Sequence, residues 1–124
     1  MLCWENPGRG GRRLMEVMNL IFRNHPELLG FLFEPARPKL RHEAEKLMGE
    51  ARGFSSGEQI LIRIALNLWN GHGSVSLWDV IEKLDQENYQ QVVLGLQHLR
   101  QFDPDAPEML FRPLKLDTLR PGAH

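Results

Sequence analysis

The sequence predicts an all-α fold, a compact single-domain bundle of five or six helices around a central buried helix, with an extended C-terminal arm. Three observations lead there. Apolar residues recur three and four positions apart over several separate stretches, the spacing that lines one face of an α-helix. Serine, aspartate, glycine and proline punctuate those stretches where helices start and stop. Finally, 124 residues with 42% hydrophobic and 25% charged side chains suit one domain with its own core and argue against a disordered chain. The expected divisions are a flexible lead over 1–11, a helical domain over 12–102 and an extended arm or tail over 103–124.

The lead ends in Pro7-Gly8-Arg9-Gly10-Gly11, a glycine-rich entry expected to be mobile. Arg9, Arg12 and Arg13 form a small basic cluster there, read as surface charge at a frayed terminus. From Arg12 to about Arg23 the pattern is helical, with Leu14, Val17, Met18 and Ile21 on one face and Met15 and Phe22 widening it. His25-Pro26-Glu27 breaks that helix and starts another, since proline is tolerated at the first helical position and a glutamate suits the positive end of the helix. Leu28 to Phe33 should form a buried turn or two, stopped by Pro35 and Pro38. A further amphipathic helix is expected from about Pro38 to Ala51. Its stripe is Leu40, Ala44, Leu47, Met48 and Ala51, with Arg41–Glu45 and Lys46–Glu50 pairs outside it.

Ser55-Ser56-Gly57-Glu58 contains a capping box, in which a serine hydroxyl and the glutamate carboxylate satisfy free amides at a helix start. The helix that follows, over 57–69, carries Ile60, Leu61, Ile62, Ile64, Ala65, Leu66, Leu68 and Trp69. Only Gln59, Arg63, Asn67 and Asn70 make a polar line. So narrow a stripe marks it as the central helix, with a helix over 86–101 packed along it. Gly71 suits a left-handed helix end. Ser76 starts a short helix with Val75 and Val80 as a hydrophobic staple, and Asp85 caps the last long helix, with Leu84 and Tyr89 as a second staple. Tyr89, Val92, Val93, Leu96 and Leu99 form the apolar face of that last helix. Gly95 in its middle costs about 1 kcal/mol of helix propensity relative to alanine, which a closely packed neighbour would explain. Beyond it, Met109 to Leu116 reads as an extended arm, interrupted by Pro113.

Residues 54–101 resemble an uncharacterised family of small bacterial and phage-associated proteins of unknown function. The resemblance rests on Ser55-Ser56-Gly57-Glu58, on Arg63-Ile64-Ala65-Leu66-Asn67-Leu68-Trp69-Asn70-Gly71, and on Leu84-Asp85 with Asn88. It covers well under half of the chain, and Trp69 stands where a tyrosine is usual. It implies a shared helical scaffold and carries no activity.

The chemistry-bearing residues are sparse in pattern. The single cysteine, Cys3, can form no intrachain disulfide and has no base among its sequence neighbours. His25, His42, His72, His98 and His124 show no HExxH-type spacing, and no glycine-rich phosphate loop or nucleophile elbow is present. Glu58, Asp79, Asp85 and Glu87 are candidate acid–base carboxylates, of which three are accounted for as caps or first-turn residues. The expectation is therefore no catalytic residue, no metal site and no cofactor. No apolar run approaches the length of a membrane span, and no basic start followed by an apolar stretch marks a secretory leader, which points to a cytoplasmic protein.

Two functions remain. The first is a non-enzymatic protein-interaction or regulatory module, either a phage- or mobile-element-encoded inhibitor of a host protein or a homodimer. Trp4, Trp78, Phe111 and Arg112 are its candidate contact residues, because exposed aromatics and arginine are enriched at interfaces. The alternative is a winged helix-turn-helix-like nucleic-acid-binding regulator using residues 76–101, with Gln86, Gln90, Gln97 and Arg100 reading bases from its last helix. It ranks second on charge. Residues 54–102 hold Arg63, Lys83 and Arg100 against Glu58, Asp79, Glu82, Asp85 and Glu87, a net of −2, and phosphate neutralisation dominates such affinity.

Overall fold

The first helix, α1 (Gly8–Ile21), begins directly after Pro7, so the glycine-rich stretch is the first turn of a helix and not a mobile entry. The structure is a computed structural model that describes residues 1–103 and 105. After α1 come α2 (Pro26–Leu32), α3 (Ala44–Glu50) with a single 3-10 turn (Ala51–Gly53), α4 (Ser56–Asn70), α5 (Leu77–Lys83) and α6 (Gln86–Gln101). The described residues thus form an all-α bundle, with one isolated antiparallel bridge between Phe33 and Leu40.

Residues 1–6 are not a lead but part of the packed body. Asn19, buried on α1, accepts the Leu2 N–H at 2.7 Å on Oδ1 and donates Nδ2 to the Leu2 carbonyl at 3.0 Å. The segment then runs beside the turn after α2, with Cys3 N–H donating to the Pro35 carbonyl and Glu5 N–H to the Ala36 carbonyl. Trp4, expected as an exposed contact residue, is only 5% exposed. Its ring meets Phe33 and Trp69 edge-on with centroids 5.7 and 5.8 Å away, and its indole N–H donates to the Glu34 carbonyl at 3.0 Å. Both halves of this amphipathic side chain are satisfied inside the domain, and that removes it from any surface.

The helix expected from Pro38 starts six residues later. Leu40 is held by the bridge to Phe33, with Glu34 N–H donating to the Lys39 carbonyl and Arg41 N–H to the Leu32 carbonyl. Arg41 therefore lies outside α3, and its Nε donates to the Gly30 carbonyl at 2.6 Å.

The capping box at α4 forms as the sequence implies. Glu58 N–H donates to Ser55 Oγ at 3.2 Å, and Ser55 N–H donates to Glu58 Oε1 at 3.0 Å. Gly71 ends the helix at φ 79°, the left-handed region in which glycine carries no Cβ penalty. Ile60, Leu61, Ile62, Ile64, Ala65 and Leu66 are buried, which gives α4 the enclosed position expected of it. Arg63 and Asn67, on its polar line, reach the chain as it returns over the helix, donating to the carbonyls of Ser74 and Gly73.

The last helix departs from expectation in its partner. α6 packs along α1, not along α4. Gly95 makes this approach feasible: a Cβ there would sit 2.7 Å from Ile21 Cγ1 and 3.5 Å from the Val17 carbonyl oxygen. The cost of a mid-helix glycine is offset by closeness to α1. At the seam's end, Arg13 Nε donates to the Leu99 carbonyl at 2.9 Å, a cation on the electronegative end of α6. Every residue from Met15 to Phe22 is buried, so α1 is enclosed from both sides.

Candidate functional site

Among the described residues, α5 is the helix that exposes the most large apolar side chains. Ser76 caps it, its Oγ accepting the Trp78 N–H at 3.1 Å. Around the helix, at 100° per residue, Val80, Leu77, Ile81 and Trp78 follow one another on one side, with Glu82, Asp79 and Lys83 on the other. The described residues cover only one edge of this apolar side. Val80 is buried, while Leu77, Trp78 and Ile81 are 77%, 70% and 56% exposed. Burying a leucine or isoleucine is worth about 1.5–3 kcal/mol, so the exposed ridge forgoes a large stabilisation. Lys83 Nζ lies 3.5 Å from Asp79 Oδ1, Glu82 is exposed next to Trp78 around the helix, and Asp85 and Glu87 are exposed at the start of α6, which follows directly in the chain. The ridge is therefore apolar with an acidic flank. Beside it, Gln59, Arg63, Ser74, Asp79 and Lys83 help to line a cleft of about 230 Å³ between α4 and α5.

Of the residues expected to contact a protein, Trp78 lies on this ridge and Trp4 lies in the core. Phe111 and Arg112 fall outside the described residues. Gln86, Gln90, Gln97 and Arg100 are all exposed on α6. Gln86 and Gln90 border a shallow cavity of about 290 Å³ with Tyr89, Val93 and Leu94. Leu77 and Ile81 belong to no motif, although their spacing from Trp78 within a capped seven-residue helix is the signal that groups them.

Two polar constellations also appear only in the fold. Glu16 on α1 is 1% exposed and accepts from Arg12 Nε at 2.9 Å, while His98 Nε2 on α6 lies 2.7 Å from its other oxygen. The Arg12 guanidinium and the His98 ring both meet Phe102, which closes this cluster at the end of the α1–α6 seam. The second constellation lies where α2, α4 and α6 begin. His25 Nδ1 is 3.3 Å from Glu27 Oε1 and 3.9 Å from Glu58 Oε2, and Asn88 Nδ2 donates to His25 Nε2 at 3.1 Å. Hydrogen bonds from the Ser55 backbone and side chain hold the Glu58 carboxyl below its ordinary value of 4.5, outweighing its partial desolvation. The sequence offers Glu58 as a cap; the cap uses Oε1 and leaves Oε2 facing the histidine.

Among the described residues, no helix is long and apolar enough to cross a membrane. No protein-family model, curated protein or solved structure matches the chain. Among the described residues, fold and surface together define a helical bundle in which α5 leaves apolar side chains exposed.

Proposed function

We propose that the protein is a non-enzymatic binding module that docks a segment of another protein on α5. The carrying observation is the exposed ridge of Leu77, Trp78 and Ile81 on a helix whose fourth apolar residue, Val80, is already buried. Tryptophan is among the residue types most enriched at interface hot spots, and Trp78 borders this apolar patch on the side of Glu82. Exposed Glu82, Asp85 and Glu87 favour a partner segment that is apolar with a lysine- or arginine-rich rim. The same flank disfavours a homodimer through α5, which would bring like charges together. It also disfavours nucleic acid, whose phosphates need an excess of cations, whereas residues 54–102 carry a net charge of −2.

A peptide-display selection tests the reading and does not require a named partner. The purified protein is the bait, and binders are counter-selected on a Leu77→Ser, Ile81→Ser variant. The expected winners alternate apolar and basic residues, bind one per chain, weaken as salt rises, and lose affinity on Trp78→Ala. Recovery of binders indifferent to all three positions would refute it, as would sedimentation of the wild-type chain as a dimer that Trp78→Ala dissolves.

A further inference from the structure

We infer that His25, Glu27 and Glu58 form a binding site for a divalent transition metal, with Zn2+ as the natural probe, and that Asn88 positions the histidine. Their ligand atoms lie within 4.8 Å of one another. Tetrahedral zinc with bonds of about 2.0–2.2 Å sets its ligand atoms roughly 3.3–3.6 Å apart. The separations of 3.3 Å and 3.9 Å from His25 Nδ1 to the two carboxylates bracket that span. One imidazole and two carboxylates supply the nitrogen and oxygen donors that zinc accepts, and their two negative charges balance the ion. The three come from two segments far apart in sequence, the start of α2 and the first turn of α4, so no spacing motif announces them.

Glu58 is prepositioned. Its Oε1 is fixed by the Ser55 N–H in the capping box, so Oε2 is held toward His25 before any ion arrives. Asn88 supplies the independent observation. It is 7% exposed, its side-chain nitrogen meets His25 Nε2, and its Oδ1 has no hydrogen-bond partner. No hydrogen bond therefore holds that oxygen where it is. A metal on Nδ1 requires the proton to be on Nε2, and a half-turn of the Asn88 amide then brings Oδ1 to accept it, the nitrogen taking the oxygen's former place. This is the outer contact that metal-bound histidines characteristically make. With Glu27 exposed, the site opens to solvent and leaves a coordination position for water.

The test is calorimetric titration of the metal-free full chain with Zn2+, with Mg2+ as the control. Thermal unfolding is followed in parallel, because an ion that binds only the folded state raises the melting temperature. One zinc per chain at micromolar affinity, with no comparable magnesium signal, is expected. Glu58→Gln keeps the capping-box hydrogen bond and removes the charge, and Glu27→Gln changes an exposed residue, so both variants retain the fold. Each should weaken zinc at least about tenfold, and Asn88→Ala should weaken it about 10–100-fold. Absence of a zinc isotherm, or one left unmoved by both glutamine variants, overturns the inference. The latter result would assign the heat to other histidines of the chain.

Discussion

Along α1, every residue from Met15 to Phe22 is out of water, including a glutamate and an asparagine. On α5, a helix of seven residues, a tryptophan, a leucine and an isoleucine stand mostly in it. The two regions draw on the same apolar side chains. What separates them is the partner that the chain supplies. α1 receives α6 on one side, brought close by Gly95, and the rest of the bundle on the other. Its two buried polar residues are satisfied by Leu2, Arg12 and His98. Among the described residues, α5 receives cover only over Val80. A surface completed from within is a core; the one left open on α5 is what the proposed docking reading rests on.

The contrast breaks most visibly at Ile21. It is fully buried under Gly95, and Ile21→Ala should cost about 2–5 kcal/mol in denaturant unfolding. Gly95→Val should cost about 1–3 kcal/mol, because the new side chain must push Ile21 off its position. Combined, the two changes should cost less than their sum, since the smaller residue at 21 leaves room at 95; strict additivity would mean the helices do not meet there. On α5 the expectation reverses. Leu77→Ser, Trp78→Ala and Ile81→Ser should each leave stability within about 0.5 kcal/mol of wild type, since each removes exposed surface. A loss comparable to that of Ile21→Ala would mean that the ridge is covered by the chain itself.

A smaller effect concerns acid. The folded-state pKa of Glu58 is lowered, so its contribution is present above the ordinary 4.5 and is lost as pH falls through the lowered value. Glu58→Gln should accordingly flatten the pH dependence of unfolding below 4.5 and leave it unchanged near neutrality, read from melting temperatures across that range. Equal acid sensitivity in both proteins would show that the Ser55 hydrogen bonds do not discriminate between the two protonation states.

What could be read in the sequence was what short-range chemistry decides. Ser55 with Glu58, Gly71, Ser76 and Asp85 each act within three or four residues, and each marks the helix end it implied. Gly95 was legible too, because its cost demands a reason wherever it packs. Long-range packing was not legible. Trp4 reads as a terminal aromatic until Phe33, Trp69 and the Glu34 carbonyl surround it. The start of α3 shifted because Leu40 pairs with Phe33, a contact between flanking segments that helical periodicity cannot express. The partner of α6 is α1 for a similar reason: the apolar stripes of α1 and α4 are equally good surfaces in one dimension. Glu16 did leave a trace, since it and Asn19 are the two polar residues between Leu14 and Phe22, where polar side chains must be partnered if the helix is enclosed. The approach of His25 to Glu58 and Asn88 left none, because it joins three helix starts.

The most direct measurement places a photo-crosslinking amino acid at position 78 in the producing cell, with the same substitution at exposed position 97 on α6 as the control. If α5 is finished by another protein, position 78 yields a discrete adduct whose added mass is not that of a second copy, and position 97 does not yield it. No adduct at 78, an adduct with the mass of two chains, or the same adduct from both positions would contradict the reading of α5 as a docking helix.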